Sequence, residues 1–492
     1  MVRAYIDTRM VKLPPIPSSI RGLPGRLAKA ANLTELAKGS TVRLAVTGLS
    51  RAGKTVFITS LIHNLFSAAH NPHRMPLLRV VGDGRLIGAT PEGAGAHILP
   101  RFPYQTNIER MTATPPDWPE RTDDVSEIEL DIRFAPAGVV GRALGRLSGG
   151  AATVRLKLVD YPGEWLLDLP LLEQSFAVWS RTMLRLYRKG IRAEIARDFL
   201  SFLELHRHDE PASEETAKQA HELYRTFLIA ARDQYGLNYL QPGRFLRRGA
   251  IVDAPYFWFC PLDLPEGTDK PVSGSLGALM QQRFEVYKKE AVEGFYEKHF
   301  RHYTRQIVLV DVLRALLAGA EAFEDTRLAI QSIMESFRYG QGSILSKVLG
   351  SARIEKVLFA ATKADHVPEM QRDNLRELLR HMAAIPSLQV KTNSAFAEVG
   401  ALASVICTQE GTELIGGQTV QVVIGKPLGS DRQVKFFVGN VPIRPPRAEA
   451  WATRFLDVPI FEPPSIDVSP TEGIAHINLD MALEFLLGDR LR

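Results

Sequence analysis

The chain has 492 residues, 45% of them hydrophobic, with 60 basic against 55 acidic side chains and a formal net charge of +5. That length and composition exclude a disordered or fibrous chain and allow two or three domains with sizeable cores. The mild basic excess is spread over many positions, so dedicated nucleic-acid binding is not expected.

Residues 1–40 form a lead-in arm, irregular through VKLPPIPSSIRGLPGR, with a short helical reading near residues 27–38. Its first 21 residues have no apolar core, and no run approaches the ~20 apolar residues of a membrane span. The expected place is the cytoplasm, with the periphery of the inner membrane as the variant.

Residues 42–65, VRLAVTGLSRAGKTVFITSLIHNL, then set an apolar strand, Gly48-x-x-x-x-Gly53-Lys54-Thr55, and an apolar-periodic helix in the order of a Walker A loop. The glycines let backbone N–H groups converge on phosphate oxygens, and the helix adds its positive N-terminal end. Lys54 would bridge the β- and γ-phosphates, and Thr55 would hold Mg²⁺. A Gly-rich turn between strand and helix is the bland alternative.

From residue 67 to 124 the chain is rich in Pro, Gly and charge, a long connection of functional or mobile character. Residues 127–134 (EIELDIRF) and 153–160 (TVRLKLVD) alternate apolar and polar, which predicts an antiparallel strand pair with one covered face. The second runs into Asp160-Tyr161-Pro162-Gly163, followed by Glu164. An acid at a strand end downstream of a Walker A loop is placed to bind Mg²⁺, and Gly163 to offer its N–H to a γ-phosphate. D-x-P-G is also good turn chemistry by itself.

Residues 167–304 read as a helical insert, with amphipathic stretches near 171–206, 213–235 and 276–302. Arg181, Arg185, Arg188, Lys189 and Arg192 make a basic side on the first stretch, a solvated face by default and an anionic-surface or acidic-partner patch otherwise. His206-Arg207-His208-Asp209 lacks the second His or Cys pair of a metal site. Tyr256-Phe257-Trp258-Phe259 is expected to dock the insert on the main domain. Cys260 and Cys407, far apart, read as small buried residues of a reducing compartment.

The α/β pattern returns at residues 306–312 and 356–361, the latter ending at Thr362-Lys363-Ala364-Asp365. Here an Asp carboxylate would accept hydrogen bonds from guanine N1–H and its 2-amino group, while the Lys stem lies along the base plane. Adenine offers neither donor, so discrimination on the order of 10⁴ is available to such a site. An expected strand at residues 399–406 passes through Ala403 and Ser404, and residues 409–492 close the chain with short strands and a helix packing on the nucleotide domain.

Loop, D-x-x-G and T-K-x-D in that order resemble the Ras-like GTPase pattern. With GLSRAGKT at 48–55, WPERT at 118–122, DYPGEWLLDLPLL at 160–172, TKADHVP at 362–368 and the helical insert, the resemblance sharpens to the YcjX-like family of bacterial P-loop proteins. It implies a Ras-like P-loop α/β fold, a mostly parallel sheet with one antiparallel edge strand plus an α-helical insert domain. The nucleotide domain would occupy residues 41–166 and 305–408. It also implies GTP and GDP as ligands with Mg²⁺ and a nucleotide-dependent switch in bacterial stress; Glu164, standing where Gln is usual, predicts slow turnover without a partner.

Carried over by position, Gly48, Ser50, Arg51, Ala52, Gly53, Lys54, Thr55 and Val56 would wrap the phosphates. Thr55, Thr122 and Asp160 would serve the metal, with Thr112 and Thr114 behind Thr122. Thr362, Lys363 and Asp365 would hold guanine, and Ala403 and Ser404 would contact its O6, Ser394-Ala395 being the rival pair. Lys54, Glu164 and Arg51 are the catalytic candidates. Glu164 departs from the pattern by standing where Ras-type proteins have Gln, and Thr362 by standing where Asn is commoner. An unidentified protein effector or membrane-associated partner would meet the insert, and oligomeric state is not specified. A general ATPase and a nucleotide-stabilised interaction scaffold remain the alternatives.

Overall fold

The computed structural model describes residues 40–92, 99–120, 124–138, 150–246, 254–267, 270–337, 354–384, 391–392, 395–452, 456–467 and 471–492. The helical reading at 27–38, Thr122 and Ser394 lie outside them.

An eight-stranded sheet carries the fold. Its strands are β1 (Ser40–Gly48), β2 (Leu86–Pro91), β3 (Ser126–Phe134), β4 (Ala152–Asp160), β5 (Arg305–Val310), β6 (Lys356–Ala361), β7 (Lys391–Thr392) and β8 (Ala395–Ala401), in spatial order β2-β3-β4-β1-β5-β6-β8-β7. The run β4-β1-β5-β6-β8 is parallel, and β3 reverses direction against β4 with Ile128 opposite Leu158. The expected parallel sheet with an antiparallel edge is therefore present, extended by β2 outside β3 and by the two-residue β7 antiparallel to β8.

Burial follows position in the sheet. All six residues of β5 are buried, as helices cover both faces of a parallel core. Nearer the edge, β3 alternates, with Ile128, Leu130, Ile132 and Phe134 inward and Arg133 exposed. One face packs Leu44, Leu156 and Leu309 against α1 (Lys54–Ser67) and the chain's last helix, residues Leu479–Leu487. Arg305, wholly buried, fixes that last helix by donating to Leu486 O and Asp489. The other face packs Val308, Phe359 and Val399 into a core continuous with the insert.

The insert holds α-helices at Phe176–Tyr187, Glu214–Asp233 and Leu276–Tyr287, among others. Ser175, Ser213 and Ser275 cap their N-termini, accepting from Val178 N, Thr216 N and Ala278 N. Phe257 and Phe259 do not form the expected docking contact: they pack inside the insert on Phe245, Phe284 and Tyr287. Docking falls instead to Tyr161, Trp165, Phe295, Phe300 and Tyr303.

The basic side expected on the first insert helix is broken up. Arg192 is buried against Asp325, Arg188 pairs with Asp263 at 2.7 Å, and one Arg181 nitrogen is buried. In the motif at 206–209, His206 Nδ1 is hydrogen-bonded with Glu210 Oε1 at 3.0 Å and Arg207 forms an ion pair with Asp209. Among the described residues, no helix is long and apolar enough to cross a membrane.

Candidate nucleotide site

At the C-terminal ends of β1, β5 and β6 lies a cavity of about 600 Å³, where doubly wound sheets bind ligands. Gly48 through Val56 line it without a gap, and Glu164, Thr362, Lys363, Asp365, Ala403 and Ser404 line it too. Stretches more than 300 residues apart in sequence thus share one wall.

The loop's shape follows from its residues. Gly53 has φ +81° and Arg51 φ +63°, and the loop is tied down by Leu49 N donating to Leu309 O at 3.1 Å. Left-handed backbone at Gly53 costs little because no Cβ is present. Lys54 Nζ pairs with Asp160 Oδ1, while Asp160 Oδ2 is buried with no hydrogen-bond partner among the described residues. Leaving a buried carboxylate oxygen unmatched is costly, and a cation shell would satisfy it. Gly163 sits directly against the loop: a Cβ there would lie 2.4 Å from Gly48 O.

Glu164 is buried next to Gly163, and the short helical segment Gly163–Glu173 that it belongs to is gripped by the insert. Gly243 N donates to Asp168 Oδ1 at 2.7 Å, Tyr287 OH to Asp168 Oδ2 at 2.6 Å, and Gln241 Nε2 to Leu167 O at 2.5 Å. The Arg244 guanidinium lies 4.4 Å from the centre of the Trp165 ring.

At the base end, Lys363 has φ +61° and donates to Asp311 Oδ2 at 2.5 Å. Asp311 also caps the helix Val312–Leu317 through Arg314 N at 3.0 Å. Burial by itself would raise the Asp311 carboxyl, but Lys363 and the Arg314 N–H outweigh it and hold it below its ordinary value. A depressed folded-state value makes this contribution complete above the ordinary carboxylate range and lost as pH falls through the depressed value. Lys363→Met, which leaves the buried Asp311 carboxylate with the Arg314 N–H but without its cation, is expected to cost roughly 3 kcal/mol at neutral pH and nearly nothing in strong acid, as checked by urea melts across pH.

Asp365 is buried, and its Oδ2 accepts from Cys407 N and Cys407 Sγ, each at 3.0 Å. Thr362 turns its hydroxyl to Val310 O at 3.4 Å, towards β5 and not the phosphate loop. Ala403 and Ser404 are not in a strand, which corrects the expected 399–406 element: β8 stops at Ala401, where Asn478 takes its carbonyl at 2.9 Å. Ala403 instead exchanges hydrogen bonds with Ile477, and Ser404 O accepts from Ser60 on α1 at 2.5 Å. Of the switch threonines, Thr112 bonds back to Ile108 O within its own helix, and neither it nor Thr114 lines the cavity. Trp118, Pro119 and Glu120 do, and Trp118 Nε1 donates to Phe461 O at 2.9 Å.

Several lining residues carried no sequence signal. Arg232 and Asp233 end the second long insert helix, Ile460 and Phe461 come from the C-terminal segment, and Arg314 follows β5. Arg314 is half-buried, and burial and the neighbouring Arg51 push its guanidinium below its ordinary value. An anion between the two arginines would relieve that.

A model of the YcjX-like family, DUF463, matches residues 42–491. The chain belongs to the YcjX-like family. It is 37% identical over 460 residues to a protein of Escherichia coli (strain K12) named "Ras-like GTPase YcjX", covering 92% of this chain and 96% of that one. A protein of the same name from Shewanella oneidensis is 34% identical over 484 residues, covering 94% and 97%. Both alignments run over nearly the whole length of each protein, insert and C-terminal segment included.

Proposed function

We propose that this YcjX-like chain binds GTP and GDP with Mg²⁺, hydrolyses GTP, and passes the nucleotide state to its helical insert. One observation supports the reading above others: a single cavity is lined by the Gly48–Val56 loop, Glu164 and the Thr362-Lys363-Asp365 triad together. The printed name of both relatives agrees with it.

The residues fit the metal. Thr55 and Asp160 are hard oxygen donors, and Asp160 Oδ2, without a partner among the described residues, would accept from the water shell of a cation. When bound, Mg²⁺ would neutralise charge on the β- and γ-oxygens. Lys54 would leave Asp160 for the phosphates, the loop N–H groups would hold the β-phosphate, and Gly163 N–H would meet the γ-phosphate. Glu164, which lines the same cavity, would orient or deprotonate water. Because Gly243 packs directly on the Glu164 carbonyl, a shift of that turn reaches the insert without an intermediary.

Arg314 and Arg51 would face transition-state charge. Arg314→Ala is expected to lower GTP turnover by on the order of 10²-fold or more while GDP affinity changes little, measured by phosphate release and calorimetry. Phosphate release from GTP that needs Mg²⁺ and stops in Lys54→Ala supports the proposal. Release that continues in EDTA would contradict it. No release at all, with tight GDP binding, would favour the scaffold alternative.

A further inference from the structure

We propose that Asp365, His366 and Cys407 form a site for a thiophilic divalent cation, with Zn²⁺ as the type, and that this cation and a guanine base compete for the Asp365 carboxylate. The competition rests on the guanine reading above; the cation site does not.

The geometry carries the site. Cys407 Sγ lies 3.0 Å from Asp365 Oδ2 and 3.5 Å from His366 Nε2, and the last two atoms are 3.9 Å apart. A triangle with those sides has a circumradius of about 2.0 Å, so a cation at zinc-ligand distances of about 2.0 to 2.3 Å touches all three from just outside their plane. Among the described residues this is the one group of three such ligands close enough to share an ion. Each of the three residues also lines the nucleotide cavity, which leaves a fourth coordination position facing open space.

The surroundings suit a metal ligand set. Cys407 N–H donates to Asp365 Oδ2 at 3.0 Å, and the His366 ring stands edge-on to Phe461 at 4.9 Å, so two ligands are already oriented. Without metal the Cys407 thiol donates to the Asp365 carboxylate. Binding exchanges that proton for the cation: Zn²⁺ adds to sulfur as the thiol hydrogen leaves to water, one H⁺ per ion. Sulfur and imidazole favour Zn²⁺ over Mg²⁺, so the metal of the phosphate end does not occupy this one. Asp365 is the carboxylate that guanine N1–H and the 2-amino group would use, so ion and base exclude each other.

The test titrates Co²⁺ alone into the chelator-treated, nucleotide-free full chain. The expected result is a thiolate-to-cobalt charge-transfer band in the near ultraviolet, saturating at one ion per chain and displaced by Zn²⁺. The band should vanish in Cys407→Ser, and affinity should fall at least about tenfold in His366→Gln, with each variant's fold checked by circular dichroism. GDP added to the Co²⁺-loaded wild type should remove the band. No band in the wild type, or an undiminished band in folded Cys407→Ser, overturns the site. A band that persists while GDP binds fully overturns the competition. If metal-free chain binds no GDP, the guanine reading fails, and a Cys407-dependent band still supports the cation site.

Discussion

Asp365→Asn is expected to weaken GDP binding by two orders of magnitude or more and to create binding of xanthosine diphosphate. The wild-type carboxylate would accept from guanine N1–H and the 2-amino group, and hydrogen bonds to a charged acceptor contribute about 1.5 to 3 kcal/mol each. Asn loses the acceptor for the 2-amino group, opposes it with an N–H₂ donor, and removes the charge from the bond to N1–H, which together cost roughly 3 to 6 kcal/mol, or about 10² to 10⁴ in affinity. An Asn amide would turn one N–H₂ group towards the base, which opposes guanine's donors and matches the 2-carbonyl of xanthine. The amide oxygen can still accept from Cys407 N–H, so the local fold has a reason to survive. Calorimetry with the two diphosphates checks the exchange; equal GDP affinity in wild type and variant would remove Asp365 from the base site.

Gly163→Ala is expected to separate GTP binding from GDP binding. An added Cβ would lie 2.4 Å from Gly48 O, 2.8 Å from Gly48 C and 3.2 Å from Thr47 Oγ1. The first two are backbone atoms, and Gly48 is held in β1 by its pairing with Leu309 of β5. The turn at residues 160–164 must therefore move off the phosphate loop. Overpacking of this kind costs about 1 to 3 kcal/mol of stability. Loss of one N–H to the γ-phosphate lowers affinity for a non-hydrolysable GTP analogue by roughly 10- to 100-fold, while GDP, which lacks that phosphate, is much less affected. Parallel loss of both ligands would mean that the substitution damages the fold and not the γ-phosphate contact.

Legibility in the sequence tracked how local each constraint is. The phosphate loop was readable because its chemistry lies in eight consecutive residues whose backbone needs glycine at Gly53. β3 and β4 were readable because one covered face imposes alternation on their side chains. By contrast, the apolar run predicts strand through Ala403 and Ser404, but the strand ends at Ala401, where Asn478 and Ile477 from the C-terminal segment take over the pairing. The aromatic run at residues 256–259 was assigned to the wrong interface, since hydrophobicity says that Phe257 and Phe259 are buried and not against what. Arg314, Arg232 and Phe461 reach the cavity only through tertiary packing. Cys407 was seen as a small buried residue; that it faces Asp365 depends on a loop following β8 that no periodicity marks.

These contacts also give the insert a physical role. Gly243, Gln241 and Tyr287 hold the segment after Gly163 at its backbone and at Asp168. Under the proposed function, a displacement at the γ-phosphate would reach the insert helices through these hydrogen bonds.

The central claim is that this cavity prefers guanine nucleotides, and competitive calorimetry tests it most directly. GDP with Mg²⁺ titrated into the wild-type chain should bind with micromolar or tighter affinity, and excess ATP should leave that isotherm unchanged. ATP that displaces GDP on equal terms would contradict the account and move the chain to the general ATPase reading.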